Sequence, residues 1–61
     1  MTLEKFIVKN NISEEQRVSI YNFEGNIDYC GIVKNIPICF SDMEIGNAKR
    51  LKREIRIEEK A

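Results

Sequence analysis

The chain has 61 residues, 43% of them apolar and 33% charged, and its formal net charge is zero. That length allows one domain, with a core that removes only about 60% of the unfolded chain's surface from water, and it leaves little room for a deep small-molecule pocket. The apolar fraction excludes a disordered chain, and the longest unbroken apolar run, Ile36–Phe40, is far short of the about 20 residues a membrane span needs. With no signal-peptide core either, a cytoplasmic location is expected.

The zero net charge hides an asymmetry. Residues 1–48 carry Lys5, Lys9, Arg17 and Lys34 against seven acids, a net of −3, and residues 49–61 carry Lys49, Arg50, Lys52, Arg53, Arg56 and Lys60 against three acids, a net of +3. Such polarity marks either an interaction surface or two ends of a chain that pack together.

In chain order, Leu3, Phe6 and Ile7 fall on one helical face behind Thr2, a good N-cap, and Asn10-Asn11 forms a natural left-handed exit. A helix this short needs something to dock on. Ser13-Glu14-Glu15-Gln16 has the form of a capping box and predicts one helical turn. The β-branched and aromatic residues 17–23 alternate with period 2, Glu24-Gly25-Asn26 is a turn, and residues 27–36 read as a second strand ended by Pro37. Residues 17–36 are therefore a β-hairpin. On its second strand Gly31 stands where a side chain is expected, which points to a bulge or to close approach of the N-terminal helix.

Ser41-Asp42-Met43-Glu44 is a second capping-box pattern, and Gly46-Asn47 a stop signal, so a short helix is expected near 41–46. The last segment admits two readings. As a strand over about 53–58, Ile55 and Ile57 point inward and alternate with Glu54, Arg56 and Glu58. As a helix, Ala48, Leu51 and Ile55 share a face and Ile57 is left out. The strand is preferred. The expected fold is thus small α+β, one domain over 1–61, with the N-terminal helix on an antiparallel sheet. A C-terminal helix is the alternative.

Little here supports catalysis. There is no histidine to activate Cys30, Cys39 or a serine. Gly25, Gly31 and Gly46 are scattered and build no phosphate loop. The neighbouring acids Glu14/Glu15 and Glu58/Glu59 point apart on any regular element. Two cysteines nine residues apart match no zinc spacing and cannot complete a tetrahedral site; they are expected to be free and packed as small hydrophobes. No enzyme activity, cofactor, metal or small-molecule substrate is expected.

Two binding readings remain. Lys49, Arg50, Lys52, Arg53 and Arg56 form a basic tract suited to phosphates, and Tyr21, Phe23 and Tyr29 are available to stack on bases. Against that, Lys and Arg guard edge strands and turns, and Glu54, Glu58 and Glu59 dilute the charge. The other reading is protein association, as a homodimer or with a partner, through an open sheet edge, with the hairpin aromatics and Ile36–Phe40 as the contact surface.

The order Leu3…Phe6, Arg17-Val18-Ser19-Ile20, Gly25…Tyr29-Cys30-Gly31-Ile32-Val33-Lys34-Asn35-Ile36-Pro37 and Ile55-Arg56-Ile57-Glu58 resembles small uncharacterised proteins encoded by prophages and conjugative elements of low-GC Gram-positive gut bacteria. The resemblance spans most of the chain, and its motifs are structural. The dense Lys49–Arg53 tract departs from it, since those proteins more often have a mixed or acidic turn there. It implies a non-enzymatic accessory protein of a mobile element and carries over no functional residue.

Overall fold

A computed structural model describes all 61 residues. Thr2 caps helix α1 (Leu3–Lys9), its Oγ1 accepting from the Lys5 N–H at 3.3 Å, and Asn11 leaves the helix at φ 50°. Strand β1 (Arg17–Tyr21) turns into β2 (Ile27–Ile32) through a tip held by Asn22, whose Oδ1 accepts from the Glu24 and Asn26 N–H groups at 2.9 and 3.0 Å. Gly25 at φ 89° supplies the left-handed residue this tip requires. Two 3-10 turns, Val33–Asn35 and Ile38–Phe40, flank Pro37. Strands β3 (Ile45–Arg50) and β4 (Ile55–Glu59) complete a four-stranded sheet of order β2-β1-β4-β3.

The α+β class, the docked N-terminal helix, the hairpin and the last strand are as the sequence predicts. Other details differ, among them the end of β1, which stops at Tyr21 rather than residue 23. The sheet is mixed, because β4 runs parallel to β1 with Val18 beside Ile55 and Ile20 beside Ile57. The hairpin's second strand stops at Ile32, where the Val33–Asn35 turn begins.

A further difference is that no helix forms at 41–46; the chain enters β3 there instead. The N-terminal segment takes that backbone first. Leu3 N–H donates to Met43 O, Glu4 N–H to Ser41 O and Ile45 N–H to Met1 O, at 2.8, 3.2 and 2.9 Å. Four residues before Gly46 are too few to compete with these long-range bonds. The Ser13–Gln16 box likewise yields a turn, with Ser13 Oγ accepting from the Glu15 N–H.

The core lies between α1 and one face of the sheet. Leu3, Val18, Ile20, Ile55 and Ile57 are buried, and Phe6, Ile7, Tyr29, Val33 and Phe40 pack around them. Four of those five come from the two central strands, so the parallel β1–β4 pair is the centre of the molecule. Gly31 makes room neither for a bulge nor for α1. It accommodates the Tyr29 ring, which folds over it so that Tyr29 Oη donates to Ile32 O at 2.6 Å. The bulge sits between Ile20 and Tyr21 instead. It shifts the strand's phase, so Ile27 pairs with Tyr21 rather than sharing the face of Tyr29 that strict alternation would give it, and is exposed.

Candidate interaction surfaces

The structure disperses the basic tract. Lys49 and Arg56 are cross-strand partners on the sheet face away from α1, whereas Arg50 pairs with the core residue Ile55 and so belongs to the other face. Lys52 and Arg53 are exposed at the tip of the β3–β4 turn, closed by the Leu51 N–H donating to Glu54 O at 2.8 Å. Of the five candidates only Lys49 and Arg56 share a surface within the sheet.

That surface is already well partnered. The Arg56 guanidinium carbon lies 4.1 Å from the Tyr21 ring centre, a cation–π stack. Arg56 Nε is 3.2 Å from Glu58 Oε2, an ion pair by distance, yet its N–H is not aimed at that oxygen and makes no hydrogen bond. Both side chains are about two-fifths exposed, so the pair adds little stability. Beside them Ser19 is buried although it faces away from the helix, because the long side chains around it close over it. Its Oγ donates to Glu54 Oε2 at 2.7 Å. Sequence reasoning missed this bond; a serine among strand hydrophobes was the available signal. Of the three candidate aromatics, Tyr21 lies under Arg56, Tyr29 packs on the core and Phe23 is exposed at the hairpin tip.

The two edges of the sheet differ. The β3 edge is occupied where it begins, since Ile45 N–H bonds to Met1 O and Thr2 bridges Glu44. Further along it carries Lys49 and Arg50. The β2 edge has no such tie, and its one charge is Asp28, the bulged residue at the hairpin end. Ile27-Asp28-Tyr29-Cys30-Gly31-Ile32 contains no lysine, arginine or proline. The Val33 N–H donates to Gln16 O at 3.0 Å, and with the hairpin register this makes Val18–Gly31 and Ile20–Tyr29 the bonded pairs. The main-chain groups of Cys30 and Ile32 therefore point out of the sheet. Apart from the Tyr29 hydroxyl on Ile32 O, nothing in the chain bonds to that side.

Between α1 and the 33–41 segment runs an open apolar groove of about 310 Å³, lined by Leu3, Ile7, Val8, Val33, Ile36 and Ile38, with Glu4 its one charge. Ile38 is 88% and Val8 71% exposed. Part of the expected Ile36–Phe40 contact surface is thus on the outside, although Phe40 is half-buried against the core. The cysteines correct the sequence expectation: both are free, but both are exposed rather than packed. Cys30 lies at the middle of the β2 edge, opposite Ser19, and Cys39 in the second 3-10 turn. No helix is long and apolar enough to cross a membrane.

Compared with protein-family models, with curated proteins and with solved structures, the chain matches none.

Proposed function

We propose that the protein is a non-enzymatic interaction module that accepts a β-strand along the edge of β2. The observation that carries this reading is the difference between the edges: β3 is tied and basic, whereas β2 presents the main-chain groups of Cys30 and the Ile32 N–H with no lysine, arginine or proline beside them. Exposed edges of this kind pair with another strand unless they are guarded. Main-chain bonds then supply affinity, and alternate side chains supply selectivity. Phe23 and Ile27, 66% and 57% exposed, extend the surface at the hairpin end. An accessory role in a mobile genetic element rests on the sequence resemblance.

The test is a selection of peptides on the immobilised protein, followed by amide chemical shifts of the complex. Bound peptides are expected to shift the Asp28, Cys30 and Ile32 amides and to lose affinity with Cys30→Lys, which puts a guarding charge on the edge. Peptides that shift α1 and residues 33–41 instead, or a selection that yields none, would remove the β2 edge from consideration.

A second reading, single-stranded nucleic acid on the open sheet face, is favoured by Lys49 and Arg56 lying together beside Tyr21. Glu54 and Glu58 on the same face oppose it. Titration into fluorescent single- and double-stranded nucleic acid at about 50 and about 200 mM salt decides the matter, because phosphate binding weakens steeply over that range. Salt-sensitive binding lost on replacing Lys49, Arg56 and the turn residues Lys52 and Arg53 by alanine would support it; absence of binding at the lower salt would sink it.

A further inference from the structure

We infer that the strand β2 accepts is β2 of a second copy, paired antiparallel about a two-fold axis at Cys30; this rests on the reading of β2 as a strand-accepting edge. Cys30 lies at the middle of the edge, with the outward-facing Ile32 on one side and Asp28, the extra residue of the bulge, on the other. Placing Cys30 opposite its own copy sets Asp28 opposite Ile32, and by symmetry Ile32 opposite Asp28. The main-chain groups of the two Cys30 residues then pair with each other, the Ile32 N–H faces the partner strand while Ile32 O keeps its bond from Tyr29 Oη, and two four-stranded sheets join into one.

Charge selects this orientation. The acids near the edge, Glu24 and Asp28, lie at the hairpin end of β2, and Lys34 lies two residues past its other end, in the Val33–Asn35 turn. Antiparallel pairing brings Lys34 of each copy toward Glu24 and Asp28 of the other, at both ends of the seam. Parallel pairing would instead set Asp28 against Asp28 and Glu24 against Glu24. Glu14 and Glu15, which also lie near Lys34, lead into β1 and so stand one strand further from the seam. Neither Glu24 nor Lys34 makes a side-chain bond within the chain, so both are free for this role. The opposite edge offers no equivalent: a β2–β3 contact between copies would be head-to-tail, would meet Lys49 and Arg50, and would leave an edge open for further addition.

The geometry makes a covalent prediction. Directly opposed residues of a bonded antiparallel pair have Cα atoms about 5.5 Å apart, which brings the two exposed Cys30 thiols within reach of a short bis-maleimide. In a Cys39→Ser background, which leaves Cys30 as the one thiol, cross-linked dimer is expected in high yield, and its yield should fall on dilution. Sedimentation across a wide concentration range should show reversible monomer–dimer exchange. Lys34→Glu alone should weaken the dimer several-fold, as should Glu24→Lys alone, and the two together should restore it. A general structural defect would not produce such rescue.

A concentration-independent monomer would overturn the inference; the strand-accepting reading would still stand if selected peptides shift the β2 amides. A dimer that forms no Cys30 cross-link and is unaffected by Cys30→Lys, but is lost with Ile38→Lys, would also overturn it, and would assign self-association to the α1 groove.

Discussion

Ile20 and Ile57 show no exposed surface and stand side by side on adjacent parallel strands. Truncating either to alanine should cost about 2–5 kcal/mol, read from the urea midpoint. Because so small a core supplies only about 3–5 kcal/mol in all, either variant should be largely unfolded at ambient temperature. Ile57 was legible as an inward residue of the last strand, and the period-2 alternation of residues 17–23 set Ile20 on one face with Val18. Gly31 was not, because its neighbour two positions back decides its role. A Cβ there would lie 2.6 Å from Tyr29 Oη and 3.0 Å from the ring carbon bearing it. Gly31→Ala is expected to cost about 1–3 kcal/mol as overpacking, and Tyr29→Phe about 0.5–1.5 kcal/mol for the lost bond to Ile32 O. The double variant should lose less than the sum, since the hydroxyl that the new methyl meets is gone. Strict additivity in that double-mutant cycle would mean that the ring does not lie over Gly31.

β3 is the element that local pattern concealed. Its sequence, Ile-Gly-Asn-Ala-Lys-Arg, has one β-branched residue and four of low strand propensity. It is a strand because β4 pairs with it on one side and the N-terminal residues take its first main-chain groups on the other. Partners that distant in sequence leave no trace in a window of a few residues, whereas the hairpin, α1 and β4 each carry their own turn, cap or alternation. The candidate site suffered in the same way. The basic tract reads as a continuous run, but a turn through Lys52 and Arg53 divides it and sends its members to different surfaces. Gly46 offers a direct test of the β3–β4 fit: a Cβ there would meet Lys60 Cα at 2.8 Å, backbone that cannot swing aside. Gly46→Ala should therefore lower stability by about 1–3 kcal/mol. In hydrogen exchange, the Leu3 and Ile45 amides should open together, since each is held across the same contact between the N-terminal segment and residues 43–45.

For the molecule as a whole, the even charge balance conceals an uneven distribution along the strands. Arg17, Lys34, Arg50, Lys52 and Arg53 outnumber Glu14, Glu15 and Glu54 at the end holding the β3–β4 turn, whereas Glu24, Asp28, Glu44, Glu58 and Glu59 outnumber Lys60 at the hairpin end. Two copies joined antiparallel would cancel these opposed ends. If they do join, the thermal midpoint should rise with protein concentration, because association stabilises only the folded form; Cys30→Lys should abolish that dependence while leaving the dilute-limit midpoint nearly unchanged. The parallel contact between β1 and β4 also bears on the order in which a nascent chain acquires structure. β1 and β2 precede β4 in the chain, and a two-stranded hairpin is marginal in water. Until Ile55 and Ile57 arrive, Val18 and Ile20 have no partners on their inner flank and the short helix has no complete floor. The core therefore forms only when β4 joins the hairpin, and nearly all at once. A premature stop anywhere before β4 would release a chain with no core and an unguarded strand edge, a substrate for proteolysis rather than a partly working fragment.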